Sequence, residues 1–182
     1  MNSGKSTALL QVAFNYEERG QRVVLTKPAI DTKGEATVVS RLGVVRKVDF
    51  ITLPSDNLRS LVTDISRYEK VDCLLIDEAQ FLTPEQVDQA MQIAVLDNVP
   101  VLAYGIRTDF LTNGFPGSIR LLEIAHSLEE LKTICRCGKK ALFNARLKSG
   151  NFVFDGDQVA IDGDEVTYES LCPSCYFAKL GK

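Results

Sequence analysis

The chain begins with the heptapeptide MNSGKST, whose residues Gly4, Lys5 and Ser6 stand before a stretch with apolar side chains at helical spacing. Glycine, lysine and a hydroxyl residue in this order form the second half of the phosphate-binding loop G-x-x-x-x-G-K-[ST]. Backbone N–H groups of that loop bind phosphates, and the predicted helix, ending near Gly20, would begin at the phosphates. The pattern predicts a nucleotide site; the alternative is an ordinary helix N-cap.

The first glycine of that loop, and the strand that usually precedes it, would fall before Met1. A missing strand leaves its neighbours without hydrogen-bonding partners, and a missing glycine removes part of the phosphate-binding backbone. We therefore expect the chain as written to be less stable and only weakly active.

The bulk composition is that of a globular chain of one domain with a small appendage. Its 182 residues are 45% hydrophobic, with 21 Lys and Arg against 24 Asp and Glu. A net charge of −3 gives no basic surface for a nucleic acid. Since no apolar run approaches membrane-spanning length and no signal peptide is evident, we expect a cytoplasmic protein with no membrane partner.

Strand and helix patterns alternate along most of the chain. Strands are predicted at 22–27, 49–53, 73–77 and 99–105, and helices at 8–20, 56–68 and 83–97, the second capped by Asp56 and the third by Thr83. Residues 30–47 have no sustained period and are predicted to be a long connection. The order indicates an α/β fold, with a mostly parallel sheet flanked by helices.

The strand predicted at 73–77 ends in two acids, Asp77 and Glu78. Four apolar residues followed by an acid have the form of a Walker B element, in which the aspartate helps to hold Mg²⁺. Glu78 leaves the strand and is a candidate to take a proton from an attacking hydroxyl. Alone, this pair would be interpreted as a solvated turn; together with Gly4, Lys5 and Ser6 it indicates a P-loop NTPase-like site for a metal and phosphates.

Two close cysteine pairs, Cys135 with Cys137 and Cys172 with Cys175, flank a β-rich loop near the C-terminus. Four thiolates complete a tetrahedral Zn²⁺ site, which would fasten a region too small to fold by burial alone. The alternative is free or redox-active thiols. Cys73 lies within a predicted strand and is interpreted as a core residue, and His126 is given no role. We divide the chain into an ATP-binding domain, 1–133, and a zinc-binding β-rich domain, 134–182.

These motifs together resemble the thymidine kinases found in many bacteria and in animal cytosol. The resemblance rests on MNSGKST, on DEAQFL at 77–82, on the stretch from Gly105 to Phe115, and on the cysteine pairs with Tyr168 before the second. It implies transfer of the γ-phosphate of ATP to the 5′-hydroxyl of thymidine or deoxyuridine. It also implies Mg²⁺, a structural Zn²⁺, a homotetramer and inhibition by the end product dTTP.

The resemblance also assigns roles to residues. It implies that Glu78 is the general base, and that ATP and Mg²⁺ are bound by Asn2, Ser3, Gly4, Lys5, Ser6, Thr7, Asp77 and Gln80. The nucleoside would be bound by Phe81, Ile106, Phe110, Phe115, Asn144, Ile161 and Tyr168, of which Asn144, Ile161 and Tyr168 belong to a loop similar to the family's lasso. For each phenylalanine, an ordinary place in the core is an equally good interpretation.

Two other functions fit parts of the pattern. Another P-loop nucleoside or nucleotide kinase would share Gly4, Lys5, Ser6 and Asp77 but would not need a loop fastened by thiolates. A zinc-stabilised nucleotide sensor would share the binding motifs but would not need a base at Glu78. Acceptor preference and the effect of Glu78→Gln distinguish these functions.

Overall fold

The computed structural model describes residues 3–29, 36–40, 43–159 and 166–181. The chain divides into two compact units, and each is described separately. The first comprises residues 4–105 and 116–128, and the second comprises 1–3, 106–115 and 129–182. The boundary predicted after residue 133 remains a prediction, and the stretch 106–115, which precedes it in sequence, packs with the C-terminal residues.

The first unit is an alternation of helices and strands. Its helices are α1 (Lys5–Glu17), α2 (Leu58–Ser66), α3 (Pro84–Leu96) and α4 (Pro116–Ile124), with a short 3₁₀ helix at Ala79–Phe81. Its strands are β1 (Val23–Pro28), β2 (Thr37–Val39), β3 (Val45–Lys47), β4 (Phe50–Thr52), β5 (Cys73–Ile76) and β6 (Val101–Ala103).

Four of these strands form a parallel sheet in the order β4-β1-β5-β6. Every residue of β5 is fully buried, as its uninterrupted apolar sequence predicts for a strand covered on both faces. Leu74 and Ile76 pack with residues of α2 and α3, whereas Cys73 and Leu75 pack with residues of α1. The predicted α/β class, with a parallel sheet between helices, is confirmed.

Capping residues explain where two helices begin. Thr83 and Gln86 form the predicted capping box of α3: the Thr83 hydroxyl accepts from the Gln86 N–H, and the Gln86 side chain accepts from the Thr83 N–H. The prediction that Asp56 caps α2 is wrong. Asn57 is the cap and accepts from the Ser60 N–H, because the Asp56 carboxylate instead accepts from the Leu53 N–H in the preceding turn.

The connection predicted at 30–47 also needs correction where the structure describes it. Thr37–Val39 and Val45–Lys47 pair as the antiparallel hairpin β2–β3, and Val38 enters the core beside α1. Three-residue strands are too short to show a period in the sequence, so pattern reading alone could not detect this hairpin.

The second unit is built from short antiparallel strands and one helix. Its elements are β7 (Thr133–Ile134), β8 (Lys140–Ala141), β9 (Phe143–Lys148), β10 (Asn151–Val153), β11 (Val166–Leu171) and α5 (Pro173–Leu180). β9 lies between β10 and β11, and β7 pairs with β8. A small core contains Cys135, Ala145, Leu171, Cys172 and Tyr176. The predicted β-rich C-terminal region is confirmed.

In the part of the chain that the structure describes, no helix combines the length and the apolar character needed to cross a bilayer.

Gly117, at the start of α4, shows how closely the helices approach the end of β5. A Cβ at this position would lie 2.5 Å from the Leu82 carbonyl oxygen and 2.9 Å from those of Ala79 and Gln80. These are backbone atoms, which cannot rotate away as a side chain can. Only glycine therefore allows α4 to pack on the segment that follows Asp77.

We predict that Gly117→Ala destabilises the protein by about 1–3 kcal/mol, the usual cost of overpacking. The sign of the change in unfolding free energy tests the packing argument, because alanine in place of glycine normally stabilises a helix by up to about 1 kcal/mol. Urea unfolding of both proteins measures the difference. Leu122→Ala on the exposed face of the same helix is the control and should change stability by about 0.5 kcal/mol. A neutral or stabilising Gly117→Ala would contradict the packing argument.

Candidate active site and metal centre

The start of α1 has the features of an anion-binding helix terminus. Gly4 precedes the helix in the left-handed conformation, with φ of 77°, which glycine adopts without strain. Because glycine has no side chain, no capping group competes for the N–H groups of the first turn, to which Lys5, Ser6 and Thr7 belong. The first turn carries no acidic residue that would repel phosphate. Ser3 is half-buried, and Asn2 lies outside the described residues.

The end of β5 turns sharply after Asp77. The Asp77 N–H donates to the Thr26 carbonyl and continues the sheet, whereas the Ala79 N–H donates to the Tyr104 carbonyl. Between them Glu78 adopts φ of 50° and ψ of 39°, a left-handed conformation that costs a non-glycine residue about 1–3 kcal/mol. Asp77 is consequently buried, while the Glu78 side chain is one-third exposed. The two adjacent acids therefore have different environments.

The Glu78 carboxylate receives one hydrogen bond on each oxygen. Lys5 Nζ lies 3.3 Å from Oε1, and Gln80 Nε2 lies 2.5 Å from Oε2. The lysine of α1 and the acidic end of β5, predicted from motifs 73 positions apart, thus meet in the structure. Gln80 is 2% exposed and has the fixed position of a core side chain.

Gly105 makes room for the Gln80 amide. A Cβ on Gly105 would lie 2.8 Å from Gln80 Oε1 and 3.1 Å from the Gln80 backbone nitrogen. The first distance is shorter than real Cβ contacts, and the second is tighter than most of them. Because Oε1 ends a side chain that can rotate, a side chain at position 105 would displace the Gln80 amide, which donates to Glu78.

Electrostatics distinguish Asp77 from an ordinary surface acid. Burial raises the pKa of the Asp77 carboxyl above its usual 3.8, and the charge of Glu78 raises the pKa further. The charges of Lys5 and Lys27, together with a hydrogen bond from the Glu78 N–H, lower the pKa and offset part of this effect. A buried carboxylate of this kind favours a nearby cation such as Mg²⁺.

The four predicted metal ligands converge in the second unit. The sulfur atoms of Cys135, Cys137, Cys172 and Cys175 all lie within 4.8 Å of one another. A tetrahedral site with Zn–S distances of about 2.3 Å would separate its sulfurs by about 3.8 Å, so the cluster has a suitable size for this metal. Cys172 also caps α5 and accepts from the Cys175 N–H, which orients the second pair.

Thiol ionisation within the cluster is unequal. Backbone hydrogen bonds around Cys137 and Cys172 lower the pKa of the Cys135 thiol to about 6, whereas hydrogen bonds to the other sulfurs raise the pKa of Cys175 to about 12. Four thiolates in this volume repel one another, and a divalent cation would relieve the repulsion.

The predicted nucleoside residues are divided between the two units. Phe81 ends the 3₁₀ helix of the first unit and is half-buried. In the second unit Phe110 and Phe115 are buried, Ile106, Asn144 and Tyr168 are half-buried, and Ile161 lies outside the described residues. Phe110 and Tyr168 are brought together, because the Arg146 guanidinium carbon lies 3.6 Å from the Phe110 ring centroid and 5.7 Å from that of Tyr168.

A parallel α/β sheet, with a glycine and lysine at a helix start and an acidic strand end beside the lysine, defines the class of P-loop nucleotide-binding proteins. The sequence profile described as "Thymidine kinase" matches residues 1–176, and the chain belongs to the thymidine kinase family.

Individual relatives agree with this membership. The thymidine kinase of Idiomarina loihiensis is 50% identical over 183 residues, which cover 100% of this chain and 94% of the relative. That of Rhodopirellula baltica is 49% identical over 94% of this chain and 82% of its own length. That of Enterobacteria phage T4 is 48% identical over 94% of this chain and 89% of its own length.

Three residues at these sites escape a reading of the sequence. Gly117 belongs to a Pro-Gly dipeptide, which marks a turn, but neither its sequence context nor that of Gly105 indicates which distant segment lies against the glycine. Arg146 lies in a predicted β-rich region, and its burial at 6% exposure is evident only from the structure. The acids, the lysine and the cysteines, by contrast, are evident from spacing.

We predict that Asp77→Asn stabilises the protein at neutral pH. The folded-state pKa of Asp77 lies above the unfolded-state value, so the wild type loses stability as the pH rises from about 3.8 through the folded-state pKa. Asparagine has no charge and keeps an oxygen for the Glu78 N–H. Its advantage should therefore reach about 1 kcal/mol at about pH 7.5 and shrink at about pH 4.5.

Urea unfolding at the two pH values measures this effect. Asp64→Asn is the control, because its carboxylate is 61% exposed and charge removal there relieves no burial. A destabilised Asp77→Asn at neutral pH, or an equal advantage at both pH values, would show that burial of the Asp77 charge is not the cause.

Proposed function

We propose that this chain is an ATP-dependent thymidine kinase, which transfers the γ-phosphate of ATP to the 5′-hydroxyl of thymidine, and also of deoxyuridine, in pyrimidine deoxynucleotide salvage. The observation that carries the proposal is the 3.3 Å contact between Lys5 and Glu78, which joins a phosphate-binding motif to a candidate base. The thymidine kinase family of the chain supplies the acceptor.

The phosphate half of the reaction falls to the start of α1. The N–H groups of its first turn and the Lys5 ammonium group would bind the triphosphate, and the hydroxyls of Ser6 and Thr7 would face the bound Mg²⁺. Asp77 would complete the metal environment, and its buried carboxylate would be stabilised by that cation. We place Ser3, Gln80 and Asn2 in the same nucleotide site.

The acceptor half falls to Glu78. Its carboxylate would take the proton of the 5′-hydroxyl as that oxygen bonds to the γ-phosphorus and the bond to the β-phosphate oxygen breaks, leaving ADP. The left-handed backbone of Glu78 and the hydrogen bond from Gln80 hold the carboxylate in one orientation. Lys5 contacts this carboxylate, so the bound triphosphate and the base would share one cation. The 5′-hydroxyl held by the base would therefore lie near the γ-phosphate.

The nucleoside would be recognised by the predicted aromatic and loop residues Phe81, Ile106, Phe110, Phe115, Asn144, Ile161 and Tyr168. Flat apolar surfaces suit a pyrimidine with a methyl group. The support is that Phe110, Asn144 and Tyr168 occur together in the second unit, on the 106–115 turn and on the paired strands β9 and β11.

Zinc, regulation and assembly complete the proposal. A structural Zn²⁺ bound by the four cysteines is supported by the size of the cluster. Inhibition by dTTP and a homotetramer are supported by the family alone. Four free cysteines close enough to share a metal ion are typical of proteins from a reducing compartment, and they support the cytoplasm as the proposed location.

We predict that Glu78→Gln lowers kcat for thymidine phosphorylation about 10²- to 10⁴-fold, the range for loss of a general base. Glutamine keeps the shape of the side chain, so the dissociation constants for thymidine and ATP should change little. Steady-state kinetics and calorimetric titration measure both. Glu85→Gln, at an exposed position in the first turn of α3, is the matched control and should be silent.

The same experiment separates the alternative functions. Unchanged turnover in Glu78→Gln would exclude Glu78 as the base. Nucleotide binding by the wild type without any phosphoryl transfer would identify a sensor. A preference for purine nucleosides or for a monophosphate acceptor would identify a different P-loop kinase.

We predict that the purified protein contains about one zinc ion per chain, as expected for a closed four-cysteine site. Cys137→Ser should lower the zinc content and the melting temperature together, because metal binding contributes directly to folding of a region with so small a core. Atomic absorption and thermal unfolding measure the two quantities. Ser174→Ala, at an exposed position between two ligands, is the control. Full stability without bound metal would contradict a structural role for zinc.

A further inference from the structure

Arg146 is a buried cation at the centre of the second unit. It lies on β9 and is 6% exposed, although arginine is almost never buried without partners. Its guanidinium carbon lies 3.6 Å from the centroid of the Phe110 ring, a cation–π contact in a desolvated setting. Burial of this charge is costly, so the contacts that compensate for it indicate what the residue does.

The guanidinium group donates to two oxygens that are distant in sequence. Its Nε lies 3.2 Å from the Tyr168 hydroxyl oxygen, and its Nη2 lies 3.1 Å from the Gln158 carbonyl oxygen. Gln158 follows β10, and Tyr168 lies on β11. A single planar group thus binds two residues that belong to different parts of the second unit. Neither partner carries a formal charge, so the arrangement is not a simple ion pair.

The turn that carries Phe110 is fastened to the same place. The Asp109 carboxylate accepts from the backbone N–H groups of Leu111 and Asn113, at 2.9 Å each, and its other oxygen accepts from Gln158 Nε2 at 3.1 Å. On the far side, the Tyr176 hydroxyl donates to the Phe110 carbonyl at 2.6 Å. The turn is therefore stabilised by its own hydrogen bonds to Asp109, and by two contacts from outside it, those of Gln158 and Tyr176.

These contacts form a closed set, which we name the Arg146 network: Asp109, Phe110, Arg146, Gln158 and Tyr168. Arg146 bonds to Gln158 and Tyr168, Gln158 bonds to Asp109, and the Phe110 ring returns to Arg146. Two of its members, Phe110 and Tyr168, are proposed nucleoside residues. Anything that loosens Arg146 would loosen both at once.

We infer that Arg146 is a positioning residue for the nucleoside: it holds Gln158, Tyr168 and the Phe110 turn together and so fixes the rings of Phe110 and Tyr168 before thymidine arrives. This inference rests on the proposed function, because it takes Phe110 and Tyr168 as nucleoside residues. Only a planar guanidinium group donates in two directions while stacking on a ring, so lysine cannot replace it.

The role predicts a particular kinetic signature. If loss of Arg146 lowers the fraction of molecules in the arrangement that binds thymidine, the apparent affinity for thymidine falls in proportion to that fraction. The contacts between thymidine and the correctly arranged site stay the same. Of the proposed phosphate-binding residues, Gly4, Lys5, Ser6, Thr7, Asp77 and Gln80 lie in the first unit, and none belongs to the Arg146 network. The KM for thymidine should therefore rise, whereas the KM for ATP should not.

The experiment uses Arg146→Lys, Arg146→Gln and the milder Tyr168→Phe, which removes one acceptor and keeps the ring. For Arg146→Gln we expect the KM for thymidine to rise about 10- to 100-fold, as for loss of hydrogen bonds to a charged group. Lysine should restore little, and Tyr168→Phe should raise the KM about 3- to 10-fold. The KM for ATP should stay within about 2-fold of the wild type.

Two further readouts exclude a merely structural role. Zinc content should be unchanged, and amide hydrogen exchange should accelerate in peptides covering 154–159, 166–171 and 108–114 while the peptides of α1 and β5 keep their protection. Lys132→Gln is the control, since it removes a cation from an exposed position in the same unit. It should alter neither the KM values nor the exchange.

Three outcomes would overturn the inference: an unchanged KM for thymidine with unchanged exchange, full rescue by lysine, or an equal rise in both KM values accompanied by zinc loss. If an Arg146 variant fails to fold, Tyr168→Phe decides, because an unchanged KM there rejects the positioning role. Failure of the proposed function has a different appearance. The wild type would then not phosphorylate thymidine at all, while the exchange experiment would still show whether Arg146 holds Gln158, Tyr168 and the Phe110 turn together.

Discussion

The structure of the first unit depends on one strand that is buried on both faces. β5 contributes four fully buried apolar residues between two helical layers, so its carboxyl end is fixed to within the tolerance of a packed core. Asp77 and Glu78 follow directly and inherit that rigidity. Gly117 lets α4 approach the backbone of the turn more closely than any side chain would allow, and Gly105 leaves room for the Gln80 amide. The proposed role of Glu78 as a base would require such constraint.

The same turn carries features that oppose stability. Asp77 is a buried acid with a raised pKa, and Glu78 occupies a left-handed conformation. The cation of a phosphate-bearing ligand would offset the buried charge of Asp77. The backbone hydrogen bonds of Asp77 and Ala79, on either side of Glu78, enforce its left-handed conformation. Unfavourable features that occur together at the end of a rigid strand are typical of functional sites, because the surrounding fold compensates for them.

The second unit is held together differently, because its core is small. Four cysteine sulfur atoms lie together near the ends of β7 and β11 and the start of α5. Tyr176 lies among the rings of Phe143, Phe154 and Phe177 and donates to the Phe110 carbonyl. Arg146 adds a polar centre in place of further apolar packing. Such units gain specificity from directional contacts where burial alone is insufficient.

By itself the sequence determined most features that depend on neighbouring residues: the apolar run of β5, the capping box of α3, the glycine and lysine before α1, the acids after β5 and the two cysteine pairs. Each reflects local periodicity or a fixed chemical spacing. Asp56 and Asn57 are adjacent residues of types that cap helices, so the sequence pattern did not distinguish them, and Asn57 is the cap of α2. Tertiary structure alone decided that Gly105 and Gly117 lie against distant segments and that Arg146 is buried. Those two outcomes depend on which distant atoms come into contact, and that information exists only once the chain has folded.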